Sequence, residues 1–132
     1  MRRVSGVGLA AGFILLSAAG TTIALAQSAR GDPVKGAAIF DDRCSLCHQI
    51  KDDGQGPRLG GVVGRKAASV PGVDYTDALK KLGVTWTPDK LDLFLSDPAK
   101  MAPGTAMPIS VPDAAERRDL IAYLATTSAG GR

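Results

Sequence analysis

The sequence predicts a small all-α fold of three main helices joined by long loops. Three observations lead there. Segments with helix-starting residues recur, opening at Asp32, Thr87 and Asp113. Gly- and Pro-rich stretches, notably residues 54–64 and 101–112, lie between them, and no run alternates apolar and polar residues as a strand would. Aromatic residues make up only 5% of the chain, too few to fill a core unaided.

Each helix has its own local signals. Asp32 before Pro33 is an N-cap followed by a first helical residue, opening a helix that carries Ile39 and Phe40 and ends near Cys44. A shorter helix is expected from Thr76 to Leu82, closed by Gly83. Thr87-Pro88-Asp89 repeats the opening grammar before Leu91, Phe94 and Leu95, and Pro98 is expected to stop that helix. Asp113 with Glu116 three residues on has the form of a capping box. It opens the last helix, striped with Leu120, Ile121, Tyr123 and Leu124.

The chain ends are read differently. Arg2 and Arg3, an apolar stretch from Val7 to about Ala19, and Ala24-Leu25-Ala26 have the order of a secretory signal peptide. Residues 1–26 are expected to be removed after Ala26, leaving 27–132 as a single domain; an uncleaved anchor is the alternative. Residues 128–132, Ser-Ala-Gly-Gly-Arg, are expected to fray. Without Arg2 and Arg3 the formal charge of +3 falls to +1, with 14 basic against 13 acidic side chains. That balance excludes a nucleic-acid binder by charge.

The chemistry is concentrated in one window. The chain has two cysteines and one histidine, and all three lie in Cys44-Ser45-Leu46-Cys47-His48. Cys-x-x-Cys-His is the attachment signature of a c-type haem. Each thiol joins one vinyl group through a thioether, and the adjacent His reaches the iron as proximal ligand. A disulfide, a thioredoxin-like dithiol and a zinc half-site are the alternatives. The dithiol would want a βαβ setting, and zinc would need further Cys or His that the chain lacks. With both thiols joined to haem, no disulfide is expected. Bacterial haem attachment takes place outside the inner membrane, so the motif and the signal-like N-terminus agree on a periplasmic protein. One covalently bound haem c also supplies the missing core. Its apolar surface, on the order of several hundred Å², at ~25 cal/mol per Å² is a large share of what so small a domain can bury. The apo chain is expected to be largely unfolded.

A second strong iron ligand would favour electron passage over oxygen or peroxide chemistry. Two methionines follow the signal-like segment, Met101 and Met107. Met107 sits in the rigid Pro103-Gly104-Thr105-Ala106-Met107-Pro108 loop, which can hold a side chain at one point. Met101, just after Pro98, is better explained as a packing residue.

At this point the chain resembles the class I cytochromes c, the short soluble type of mitochondria and alphaproteobacteria. The likeness runs from Gly31 to Leu124. It is carried by Gly31-Asp32, Lys35-Gly36, Ile39-Phe40, Cys44 to His48, Gly56-Pro57 with Leu59, Gly64-Arg65-Lys66 and Pro71-Gly72. Tyr75 to Ala78, Thr85-Trp86, Pro103-Gly104-Thr105 with Met107, and Asp119 to Leu124 complete it. The resemblance implies the small cytochrome c fold, helices and loops wrapped around one haem c. It implies Met107 as sixth ligand and the Pro57 carbonyl as acceptor from His48, where a plain Gly-Pro turn is the alternative. Tyr75, Trp86, Arg65 and Thr105 match residues beside the haem propionates. Core packing is the other reading of Tyr75 and Trp86, and a solvated surface charge that of Arg65. Gly36, Phe40 and Tyr123 match the crossing of the first and last helices.

The chain also departs from the family. Phe94 stands where relatives usually carry a Tyr near the methionine. Ala38, Ala99 and Ala106 occupy haem-edge positions that relatives fill with lysine, leaving Arg43 and Lys100 as the cations expected there. The expected function is soluble one-electron transfer, without bond chemistry, by a monomer. Its partners are redox proteins: a cytochrome reductase or dehydrogenase on one side, an oxidase or photosynthetic reaction centre on the other. Any membrane contact comes through those complexes. A peroxidase-like enzyme or gas sensor with an open sixth site is the alternative, which the lack of a second His disfavours.

Overall fold

The computed structural model describes residues 30–127; residues 1–26, read as a signal peptide, and 128–132 lie outside them. Helix α1 spans Pro33–Arg43, α2 Asp77–Leu82, α3 Pro88–Ser96, α4 Pro98–Met101 and α5 Ala114–Thr126. Among the described residues there is no strand. An isolated antiparallel bridge joins Lys66 to Thr85. No helix among them is long and apolar enough to cross a membrane.

The caps follow the local chemistry. Asp32 accepts from the backbone N–H of Val34 and Lys35, Thr76 from Leu79, Thr87 from Lys90, and Asp113 from Ala115 and Glu116. Gly83 closes α2 in the left-handed conformation. Pro98 stops α3 as expected, after Ser96, but helical structure restarts at once. Asp97 serves as C-cap of α3 and N-cap of α4, and Pro98 is the first residue of that extra turn. A proline at the first helical position loses no internal hydrogen bond, so the chain breaks and restarts. The capping box is half formed. Asp113 caps, but both oxygens of Glu116 accept from Arg43 at 2.7 and 3.0 Å. Arg43 is therefore not the free edge cation expected from sequence.

The first and last helices cross at Gly36. A Cβ there would overlap the Asp119 carbonyl and come within 2.8 Å of the Tyr123 Cβ. Only hydrogen fits, and the backbones close up. Phe40 and Tyr123 pack beside the crossing with their rings tilted and centroids 5.6 Å apart, and the Asp119 carboxylate accepts from the Asp32 N–H at 2.7 Å. Behind it the buried core gathers Phe40, Leu91, Phe94, Leu95, Val111, Leu120, Ile121 and Leu124 with Val62 and Trp86. The structure thus frames the loops between rigid helices, and those loops carry the chemistry.

Candidate haem-binding site

Cys44, the C-cap of α1, begins a hydrogen-bonded turn. The N–H groups of Cys47 and His48 both donate to the Cys44 carbonyl, at 3.1 and 2.8 Å. Both thiols and the imidazole are thereby fixed within one turn. Cys44 is buried and Cys47 half-buried, and neither is in a disulfide. Burial pushes the Cys44 thiol above its ordinary pKa, against a lesser opposing pull from Arg43. The Cys47 thiol donates to the Gln55 Oε1 at 3.5 Å.

His48 is oriented by the loop that follows. Its Nδ1 lies 2.8 Å from the Pro57 carbonyl oxygen. A carbonyl can only accept, so Nδ1 carries the hydrogen and Nε2 keeps its lone pair. Gly56 is packed against this ring. A Cβ at Gly56 would overlap the imidazole, approaching Nδ1 to 2.7 Å. Gly56-Pro57 is thus more than a turn: the missing side chain admits the ring and the next carbonyl aims it. Among the described residues no group of three or more Cys, His, Asp or Glu is placed to hold a metal ion. One imidazole nitrogen beside two thiols is the donor set a covalently held haem needs from this side, and the residues fit it.

The bridge between residues 66 and 85 aligns the next pair. Gly64 N–H donates to the Trp86 carbonyl at 2.9 Å, and Trp86 N–H to the Arg65 carbonyl at 2.8 Å. Trp86 is buried and tilts against Phe94, centroids 5.0 Å apart. The Phe94 ring thus joins the core rather than carrying a hydroxyl toward the site. Arg65 is half-buried. Its guanidinium donates to the carbonyls of Gly60 and Arg58, at 3.0 and 2.7 Å. A solvated surface charge does not describe it: burial lowers its pKa, partly offset by Tyr75. The two bonds use two of five N–H donors and leave the others for a carboxylate.

Tyr75 and Thr105 are arranged likewise. The Tyr75 hydroxyl accepts from Val70 N–H at 3.4 Å, and burial raises its pKa, so it stays protonated at neutral pH. Thr105 Oγ1 accepts from Met107 N–H at 3.3 Å. Each hydroxyl keeps its own hydrogen to give. Two hydroxyls whose oxygens already accept, with a guanidinium that has donors to spare, suit a carboxylate that must leave water.

Met101 and Met107 are both half-buried against the core. They differ in setting. Met101 is the last residue of α4, whereas Met107 lies in the irregular segment between α4 and α5, tied locally by the Thr105 hydroxyl.

One functional candidate was missed by sequence reasoning. Arg117 is buried, donating to Asp92 at 2.7 Å and to the carbonyls of Val111 and Pro112 at 3.0 and 2.7 Å. Its register was the available signal: it stands three, four and seven residues before Leu120, Ile121 and Leu124, on the buried stripe itself. At the surface, Ala38, Ala99, Ala106 and Lys100 are exposed, and Leu46, between the two cysteines, is 87% exposed.

A helical frame closed by its first and last helices, with thiols and an aimed imidazole in one turn, defines a covalent haem protein of the small all-α type. Comparison with known proteins agrees. Residues 33–128 match the family model described as Cytochrome c. The chain is 47% identical to cytochrome c of Gibberella zeae over 100 residues, covering 73% of this chain and 94% of that protein. It is 44% identical to cytochrome c2 of Rhodomicrobium vannielii over 102 residues, covering 74% and 81%. With cytochrome c2 of Rhodopila globiformis the identity is 46% over 99 residues, covering 73% and 93%. The chain belongs to the cytochrome c family. It is an electron carrier that covalently binds haem c, not an enzyme, and its partners are redox proteins.

Proposed function

We propose that this chain is a periplasmic one-electron carrier. In this reading it is exported by residues 1–26, matures by cleavage after Ala26, and works as a monomeric domain of residues 27–132. Cys44 and Cys47 would hold the haem through thioethers, and His48 and Met107 would ligate its iron. The haem iron, when bound, supplies the one-electron ferric–ferrous couple. The observation that carries this reading is the 2.8 Å contact between His48 Nδ1 and the Pro57 carbonyl, because it fixes the ring and leaves Nε2 as the nitrogen that would ligate iron.

The chain's own residues do the rest. The Pro57 carbonyl accepts from His48 Nδ1 and so fixes the ring and its tautomer. Arg65, Tyr75, Trp86 and Thr105 would donate to the haem propionates, Arg65 alone supplying a countercharge, and so offset the cost of burying them. Met107 would supply a soft neutral thioether to the iron, which would favour the ferrous state over oxygen and peroxide chemistry. Donor and acceptor fall in the classes of a reductase or periplasmic dehydrogenase and an oxidase or reaction centre. Membranes are met only through those complexes.

Ferric holoprotein is the test. A weak sulfur–iron charge-transfer band at the red edge and slow cyanide binding are expected. Met107→Ala should abolish the band and speed cyanide binding, while Met101→Ala leaves both. A native protein that lacks the band and takes cyanide at once is instead an open-site haem enzyme or gas sensor.

A further inference from the structure

The segment that carries Met107 is anchored at its two ends and little between. At its start, Ala102 N–H donates to the Pro98 carbonyl and Thr105 N–H to the Ala102 carbonyl, both at 2.9 Å. Residues 103–110 are then half-buried or exposed throughout. At its end stands Val111, 1% exposed, whose N–H donates to the Leu95 carbonyl of α3 at 2.8 Å. The carbonyls of Val111 and Pro112 both accept from Arg117 of α5, at 3.0 and 2.7 Å. The same guanidinium donates to Asp92 of α3 through Nε at 2.7 Å, with its second terminal nitrogen 3.5 Å from the other carboxylate oxygen.

A cation on the apolar stripe of α5 is costly to desolvate, and these bonds are what offset that cost. Each of them ends on α3 or on the last residues of the Met107 segment. None serves α5 itself. We propose that Arg117, held in place by Asp92, is a positioning residue for Met107: it locks the far end of the segment to α3 and α5, so that the thioether is presented at one place rather than over a range. The proposal rests on Met107 being the sixth ligand. Physically, two rigid helices define the anchor, and a segment of eight exposed or half-exposed residues hangs from it. Releasing one end restores conformational freedom that the axial contact must then overcome.

The experiment compares holoproteins. Arg117→Met keeps the stem's apolar bulk and removes every donor. Cyanide binding to its ferric form should quicken by about tenfold or more, with the sulfur–iron band weakened. Amide exchange should speed at Val111 and through 103–110, but not at the α1–α5 crossing. Asp92→Asn, which leaves Arg117 its carbonyl partners, should show the same pattern at about threefold. Arg117→Lys should fall between native and Arg117→Met.

A cyanide rate within about twofold of native in Arg117→Met overturns the proposal. So does exchange that accelerates equally across α1, α3 and α5, which would mark a purely structural role. If Arg117→Met fails to fold, Asp92→Asn decides by the same two readouts. Met107→Ala separates the two ideas. Should that variant retain the band, the ligand assignment is wrong, and exchange at Val111 alone then judges the anchor.

Discussion

Arg43 and Glu116 form a two-pronged ion pair, 2.7 and 3.0 Å, joining the last residue of α1 to the first turn of α5. The Glu116 contact raises the Arg43 pKa, and Asp42 lies 3.6 Å away on the same guanidinium. A cation expected to attract partners is thus neutralised inside the chain.

Weak salt dependence follows. Steering falls with ionic strength over a Debye length of ~8 Å at physiological salt, and only fields that reach the partner are screened. With Arg43 paired and Ala38, Ala99 and Ala106 exposed, docking is expected to rest more on apolar contact, Leu46 included. Stopped-flow oxidation by the natural partner should slow by less than ~tenfold from low to physiological salt. Glu116→Gln, which frees the guanidinium, should steepen that dependence. A large drop in the native protein together with no change in the variant would refute the assignment.

The proposed covalent attachment rests on Cys44 and Cys47, the chain's only thiols. In the double Ala variant, acid–acetone should extract all the haem, and the protein should lose most of its helical signal with it. Haem that resists extraction would place the linkage elsewhere.

The α1–α5 crossing depends on the hydrogen at Gly36. Gly36→Val should lower holoprotein stability by about 1–3 kcal/mol, the usual cost of forcing atoms into a packed contact. Gly36→Ala should already show a loss, since its Cβ would overlap the Asp119 carbonyl, and the larger Val adds to it. Denaturant midpoints of the three holoproteins, with an unchanged slope, measure the effect. A neutral Gly36→Val would mean that the helices can part without cost.

The Asp113 carboxylate is held below its ordinary value of 3.8, chiefly by the Glu116 backbone N–H and further by that of Ala115. A depressed folded value means that its contribution is fully present above the ordinary carboxylate pKa and lost as pH falls through the folded one. The start of α5 should therefore loosen only in that acid range. Asp113→Asn, which still caps, should flatten this part of the pH dependence. Carboxyl NMR titration of Asp113 would expose an error if the value came out at or above 3.8.

Local chemistry was legible from sequence. Asp32, Thr87 and Asp113 cap helices because a side-chain oxygen needs only the next two or three N–H groups, which the sequence itself lists in order. Cys44, Cys47 and His48 announced the haem because one turn brings them together whatever surrounds it. What the sequence could not assign was which distant group each polar side chain would meet. Glu116 has the right spacing for a capping box, yet 73 positions away Arg43 takes its carboxylate. Arg117 has the charge of a surface residue, but the approach of α3 and α5 turns it inward to Asp92 and Val111. The physical reason is reach. Caps and turns are closed by a few backbone dihedrals, whereas ion pairs and anchors depend on how close two helices come. Here the packing at Gly36 and at Val111 decides that distance.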